Sequence, residues 1–177
     1  AASDVYKRQV KEQLPDIKDQ NILLEPYRRN TAPCIAYALS KVKMINPEAV
    51  MVVAPSDHQI IKEDEFLQNV NQGLDFVSRT DNLLTLGIKP SRPETGYGYI
   101  QIENGKNYDK TGENIFKKVK TFTEKPDYDM AKVFVESGEF FWNSGLFFWS
   151  VKSIEYAFEQ FLPDIYELFK NGETLWN

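Results

Sequence analysis

The chain has 177 residues, 42% of them hydrophobic and 14% aromatic, and a formal net charge of −5. That length and composition suit one folded domain and argue against disorder. The acidic balance and the lack of a long basic run argue against a nucleic-acid partner, because phosphate backbones call for a basic face; a local pocket for one nucleotide stays compatible.

One cysteine, Cys34, excludes an internal disulfide, and with one histidine, His58, a zinc site of Cys and His ligands is excluded too. Any metal must then be held by carboxylates and substrate oxygens, which suits Mg²⁺. A Ser/His/Asp triad would have only His58 to use, and no Gly-x-Ser-x-Gly elbow is present. No stretch approaches the run of about 20 apolar residues that spans a membrane. With no glycosylation sequon and no apolar leader, the chain is expected to be cytoplasmic.

Residues 1–9, AASDVYKRQ, fit no pattern continued later and are expected to be an added remnant outside the fold. NILLEP (21–26) predicts a short strand ended by Pro26. RRNTAPCIAYALSKVKM predicts a helix with Asn30 as N-cap and Pro33 in the first turn, where its missing N–H costs little. AVMVVA (49–54) is apolar on both faces, as in the middle of a parallel sheet. EDEFLQNVNQGLDFVSR follows as an amphipathic helix, and NLLTLGI (82–88) as the next strand. This alternation predicts βαβ units and an α/β fold. Farther on, GYGYIQIE and IFKKVKTFTEKP predict strands flanking a Gly/Asn/Asp-rich excursion at 104–114. DYDMAKVFVESG predicts a helix stopped by Gly138. FFWNSGLFFWS reads as an aromatic strand interrupted by Asn-Ser-Gly, and SIEYAFEQFLPDIYELFKNG as helical with a break at Pro163. No repeat, low-complexity tract or dividing linker stands out.

Several short stretches could carry chemistry. In open α/β sheets ligands bind beyond the carboxyl ends of strands, and Asp57 follows the AVMVVA strand directly. A carboxylate there can hold Mg²⁺ against phosphate oxygens, or it can serve a turn, for which PSDH is good chemistry. In PETGYGYI (93–100) two glycines flank Tyr97. They permit close backbone approach to a ligand, or a β-bulge. FTEKP (122–126) sets Glu124 beside Lys125: an acceptor for sugar hydroxyls next to a cation for phosphate, or an exposed charge pair. Asn143, inside an aromatic strand, offers the donor and acceptor that sugar recognition uses, or it sits in a bulge satisfied by backbone groups. Glu25 could accept the N1–H and N2–H₂ donors of guanine, or lie on the surface.

Taken together in order and spacing, EPYRRNTAP, VVAPSDHQI, PETGYGYI, FTEKP and FFWNSGLFFW make the chain from about Val10 onward resemble the mannose-1-phosphate guanylyltransferases, also called GDP-mannose pyrophosphorylases. These are a branch of the sugar-1-phosphate nucleotidyltransferases. The resemblance implies transfer of GMP from GTP to mannose 1-phosphate, giving GDP-mannose and pyrophosphate, with Mg²⁺ as cofactor. It implies an incomplete Rossmann-like fold: a mixed, mostly parallel sheet flanked by helices, with residues 10–177 as a partial catalytic domain. Carried onto this chain, it makes Asp57 the metal ligand and, with Lys125, a catalytic residue. Glu25, Pro26, Asn30 and Thr31 fall where the family binds the nucleotide. Gly98, Glu124, Lys125 and Asn143 fall where it binds the sugar phosphate. Two family features are not found in this stretch: a Gly-rich loop of the form GGxGxRLWP and a second metal aspartate. GTP and mannose 1-phosphate are the implied partners, with neither nucleic acid nor membrane, and a homo-oligomer is left open. The alternatives are a nucleotidyltransferase for another base or sugar 1-phosphate, and a non-catalytic sugar-phosphate-binding domain.

Overall fold

The computed structural model describes residues 4–25, 29–111 and 114–173. The chain divides into two compact units, residues 1–49 with 151–177, and residues 50–150.

The first unit is helical: α1 (Asp4–Gln13), a single 3-10 turn (Asp19–Asn21), α2 (Thr31–Ile45), α5 (Val151–Phe161) and α6 (Pro163–Glu173). Helix α1 runs through the boundary expected between residues 9 and 10. Ala36, Leu39, Ile154 and Phe158 are buried, spaced three or four residues apart as on one helix face. Lys43 Nζ donates to Glu155 Oε1 at 2.5 Å and ties α2 to α5. Pro163 separates α5 from α6 because its ring cannot continue a helix. Residues 22–25 are not a strand, against expectation. A strand exists only where a neighbour takes its backbone groups, and none of the described strands does so here. Pro26 lies outside the described residues.

The second unit holds β1 (Val50–Val53), α3 (Glu63–Arg79), β2 (Leu84–Ile88), β3 (Tyr99–Thr111), β4 (Asn114–Thr123), α4 (Tyr128–Ser137) and β5 (Phe140–Ser150). Helix α3 begins with Glu63, Asp64 and Glu65 and ends on Arg79, charges that oppose the helix dipole at each end. In α4, Asp127 accepts from the Met130 N–H at 2.9 Å, and Gly138 closes the helix at φ +68°. The sheet is where expectation and structure part. Every strand pairing among the described residues is antiparallel, so the mostly parallel sheet is not found, although the α/β class holds. The order is β1-β5-β3-β4, with β2 also on β5. Phe148 and Phe147 of β5 pair with β1 and with β2 at once, so those two strands lie on opposite edges of β5. The strands β1 and β2 do run in the same direction, as a βαβ unit requires, but β5 is inserted between them. Nor is β1 buried on both faces: Val52 is 38% exposed.

In the expected excursion at 104–114, the described residues, 104–111 and 114, are also strand. There β3 continues to Thr111 and pairs back onto β4 through Asn107↔Lys117, Asp109↔Phe116 and Thr111↔Asn114, with register shifts along the way. Phe76 of α3 stacks on Phe116 with ring centroids 4.2 Å apart, and Val77, Leu146 and Phe148 complete that core. A second cluster, Tyr99, Ala131, Phe140 and Trp142, packs β3 and β5 against α4.

Candidate functional site

Strand register gathers the sugar-phosphate residues. Tyr99 of β3 pairs with Thr123 of β4 and Trp142 of β5, one row across three strands. The next row outward is therefore Glu124, Gly98 and Asn143. The Asn143 N–H donates to the Gly98 carbonyl at 2.8 Å. A Cβ placed on Gly98 would lie 2.8 Å from Glu124 Oε2 and 3.6 Å from Asn143 Cβ. Gly98 is thus glycine because the carboxylate occupies the space that a side chain would need. On β2, Gly87 pairs with Asn143, so a glycine stands on each side of Asn143. Successive rows alternate faces. The Tyr99 row packs on α4, and the row of Gly98 faces the other way. Gly87 also lines a cavity of about 240 Å³ formed mainly by Leu84, Leu86, Ile100, Phe116, Phe141 and Phe148.

Asn143 and Ser144 resolve the interruption in the aromatic strand. Asn143 Oδ1 accepts from the Gly145 N–H at 3.0 Å. Ser144 Oγ donates to the Leu86 carbonyl at 2.6 Å and accepts from the Leu146 N–H at 3.1 Å. Gly145 takes φ +73°, and the β2–β5 register shifts beside it. The bulge is satisfied by backbone groups, one of the two readings, yet this uses only the Asn143 oxygen and leaves its amide nitrogen for other work.

Lys125 follows Glu124, and its Nζ stands 3.5 Å from Glu124 Oε1, with both side chains exposed. Its backbone lies at φ +42°, the left-handed region that non-glycine residues avoid. Asp57 is exposed in the turn after β1. That turn is held near the bulge by Pro55, whose Cγ is 3.1 Å from where a Gly145 Cβ would be. No cluster of three or more His, Cys, Asp or Glu that could hold a metal occurs among the described residues. In the other unit, Glu25 is half-buried, while Asn30 and Thr31 are exposed at the start of α2. Asn30 occupies the N-cap position at φ +78° and ψ −175°, with no capping bond from its side chain.

Sequence reasoning missed the residues that shape the Gly98 loop. Glu94 Oε1 accepts from the Gly96 N–H at 3.1 Å, and Oε2 accepts from Arg92 at 3.1 Å. The Gly96 N–H first, and then Arg92, hold the Glu94 carboxyl below its ordinary value against an opposing effect of burial. The Tyr99 hydroxyl accepts from the Glu94 N–H and donates to the Glu94 carbonyl, each at 3.0 Å. Tyr97 meets Trp142 edge-on at 5.2 Å, and Arg92 lies over the same ring at 5.6 Å. The only sequence signal for this was a Glu two residues from a Gly in turn-forming context.

The family model for nucleotidyl transferases matches residues 2–172. The chain is 38% identical over 179 residues to a mannose-1-phosphate guanylyltransferase of Escherichia coli, covering 99% of this chain and 38% of that protein. It is 38% identical over 143 residues to the xanthan biosynthesis protein XanB of Xanthomonas campestris pv. campestris (strain B100), covering 80% and 29%. Among solved structures, one described as mannose-1-phosphate geranyltransferase from Thermus thermophilus superposes with a TM-score of 0.78 at 25% identity, over 95% of this chain and 47% of that one. A mannose-6-phosphate isomerase from Helicobacter pylori superposes with a TM-score of 0.75 at 29% identity, over 96% and 62%. The chain spans less than two fifths of the length of these curated relatives.

Proposed function

Because this chain belongs to the nucleotidyl transferase family, we propose that it is part of a mannose-1-phosphate guanylyltransferase, forming GDP-mannose and pyrophosphate from GTP and mannose 1-phosphate. The observation that carries the reading is the row Glu124, Gly98, Asn143: a carboxylate and an amide on either side of a bare backbone. Sugar hydroxyls need such mixed acceptors and donors at close approach. The choice of mannose and guanine is supported by relatives that carry that name at 38% identity.

In this reading Glu124 accepts from sugar hydroxyls, the Asn143 amide donates to one, and Gly98 allows the ring to approach the backbone. Lys125 neutralises the sugar phosphate. A phosphate oxygen of mannose 1-phosphate attacks the α-phosphorus of GTP as the bond to pyrophosphate breaks, and the protein's contribution is alignment and charge stabilisation. Glu25, Asn30, Thr31 and Pro26 are proposed as nucleotide-binding residues on the strength of their motif. Asp57 is the residue proposed to hold Mg²⁺. Mg²⁺ commonly takes one or two carboxylates with phosphate and water as its other ligands, so one hard oxygen donor on an exposed turn fits the ion. When bound, Mg²⁺ would offset charge on the phosphate oxygens.

Calorimetric titration with GDP-mannose, with and without Mg²⁺ and with UDP-glucose as control, tests the proposal. Saturable binding that prefers GDP-mannose, strengthens with Mg²⁺ and weakens at least about tenfold in Asp57→Ala is expected, the order of one lost charged interaction. Equal affinity for UDP-glucose would remove the guanine and mannose assignments. Binding indifferent to both Mg²⁺ and Asp57→Ala would remove the metal role and favour a non-catalytic sugar-phosphate-binding domain.

A further inference from the structure

The segment Arg92–Gly98 joins β2 to β3 without helix or strand of its own, yet it must deliver Gly98 to within a few tenths of an ångström. A shift toward Glu124 closes the space for a ligand, and a shift away breaks the contact. The strand ladder reaches the segment only at its last residue, where the Asn143 N–H donates to the Gly98 carbonyl at 2.8 Å, so the residues before Gly98 need other ties. These converge on one residue. The Glu94 carboxylate takes the Gly96 N–H on one oxygen and the Arg92 guanidinium on the other. The Glu94 backbone is clasped on both its N–H and its carbonyl by the Tyr99 hydroxyl. Tyr99 is wholly buried at 0% exposure, so its hydroxyl is a fixed point set in the core, one residue along the chain from Gly98. Arg92 and Tyr97 both rest on Trp142, the residue before Asn143. Glu94 itself is only partly covered, with 28% of its side chain exposed, and it does not belong to the row of Glu124, Gly98 and Asn143.

We propose that Glu94 is a positioning residue for sugar-phosphate binding, its carboxylate bracing the Gly96–Gly98 backbone so that Gly98 stands at the correct distance from Glu124 and Asn143. The inference rests on the function proposed above for that row. The Gly96 N–H first, and then Arg92, hold the carboxyl below its ordinary value, and an ordinary carboxyl is already ionised at neutral pH, so the brace is in its charged form there.

Glu94→Gln keeps the size and one acceptor but turns an amide donor toward Arg92 or toward the Gly96 N–H. Tyr99→Phe removes the hydroxyl clasp alone. Two readouts are taken on the 177-residue chain: hydrogen exchange of the Thr95 and Gly96 amides, which the Glu94 carboxylate accepts from, without ligand, and Kd for mannose 1-phosphate and for GTP. In both variants exchange at these amides is expected to rise. Affinity for mannose 1-phosphate is expected to fall by about tenfold, the order of one charge-assisted hydrogen bond, with GTP affinity unchanged. The double variant should lose far less than the product of the two single losses, because both act through one loop. Unchanged exchange at Gly96 in Glu94→Gln would overturn the brace. Raised exchange with unchanged mannose 1-phosphate affinity would overturn the positioning role, as would an equal loss for GTP. An unaltered chain that binds no sugar phosphate would overturn the function proposed for the row and the positioning role with it; the exchange data, which need no ligand, would still decide whether the brace exists.

Discussion

Gly98 has no room for a side chain, since an added Cβ would stand 2.8 Å from Glu124 Oε2. The colliding atom is the tip of an exposed, flexible side chain, so Glu124 can swing away. Gly98→Ala is therefore expected to cost less than about 1 kcal/mol and to move the melting temperature by less than about 3 °C. The same swing takes the carboxylate from its place, and mannose 1-phosphate affinity should fall by about tenfold or more in calorimetry. Lys125 shows the complementary case. A lysine at φ +42° carries strain of about 1–2 kcal/mol, and such strain persists where surrounding structure imposes it, often at functional sites. These two residues stood out in the sequence as GYG and EKP. Their meeting with Asn143 did not, because the distance between positions 98, 124 and 143 along the chain says nothing of a shared row until the strands pair. Glu94 and Tyr99 were still less legible. Their bonds run between a carboxylate, a backbone turn and a buried hydroxyl, and no spacing rule encodes that combination.

Among the elements, β5 organises the second unit and its bulge organises β5. Gly145 sits at φ +73° with the Pro55 ring 3.1 Å from a built Cβ. Gly145→Ala meets both left-handed strain and a rigid neighbour, and should destabilise by about 2 kcal/mol. A drop in melting temperature of about 4–8 °C would accompany it, in contrast to Gly98→Ala. A melting temperature unchanged by Gly145→Ala would mean that the bulge is not under this constraint. The helices after α1 were the legible elements. The span of α3, the stop at Gly138 and the break at Pro163 all follow from local rules of periodicity, capping and proline geometry. Strands were less so. Residues 104–111 are polar and turn-like in sequence, yet they form strand because β4 lies alongside, while apolar residues 22–25 are not a strand.

At the scale of the whole molecule, the second unit depends on Phe148, which is 3% exposed and pairs with Val52 on one edge and Leu84 on the other. A Cβ built on Gly73 would touch its ring at 3.0 Å, so helix and strand meet closely there. Phe148→Ala should cost about 3–5 kcal/mol, read as a lower urea midpoint with an unchanged slope. No described helix is long and apolar enough to cross a membrane. The sequence by itself determined the family, the α/β class, the helices after α1 and the identity of the residues in the candidate row. Each of those is a matter of residue type, local spacing or motif order. Only the tertiary structure decided that the sheet is antiparallel throughout the described pairings, that β5 separates β1 from β2, and that Glu94 and Tyr99 brace the loop. The brace is local in sequence, with Glu94 and Tyr99 five residues apart, and it forms because the fold buries the Tyr99 side chain; for the strands the physical reason is range. Strand direction depends on partners as far as 100 residues away, as between Val50 and Ser150, and hydrogen-bond partners at such separations leave no local signature.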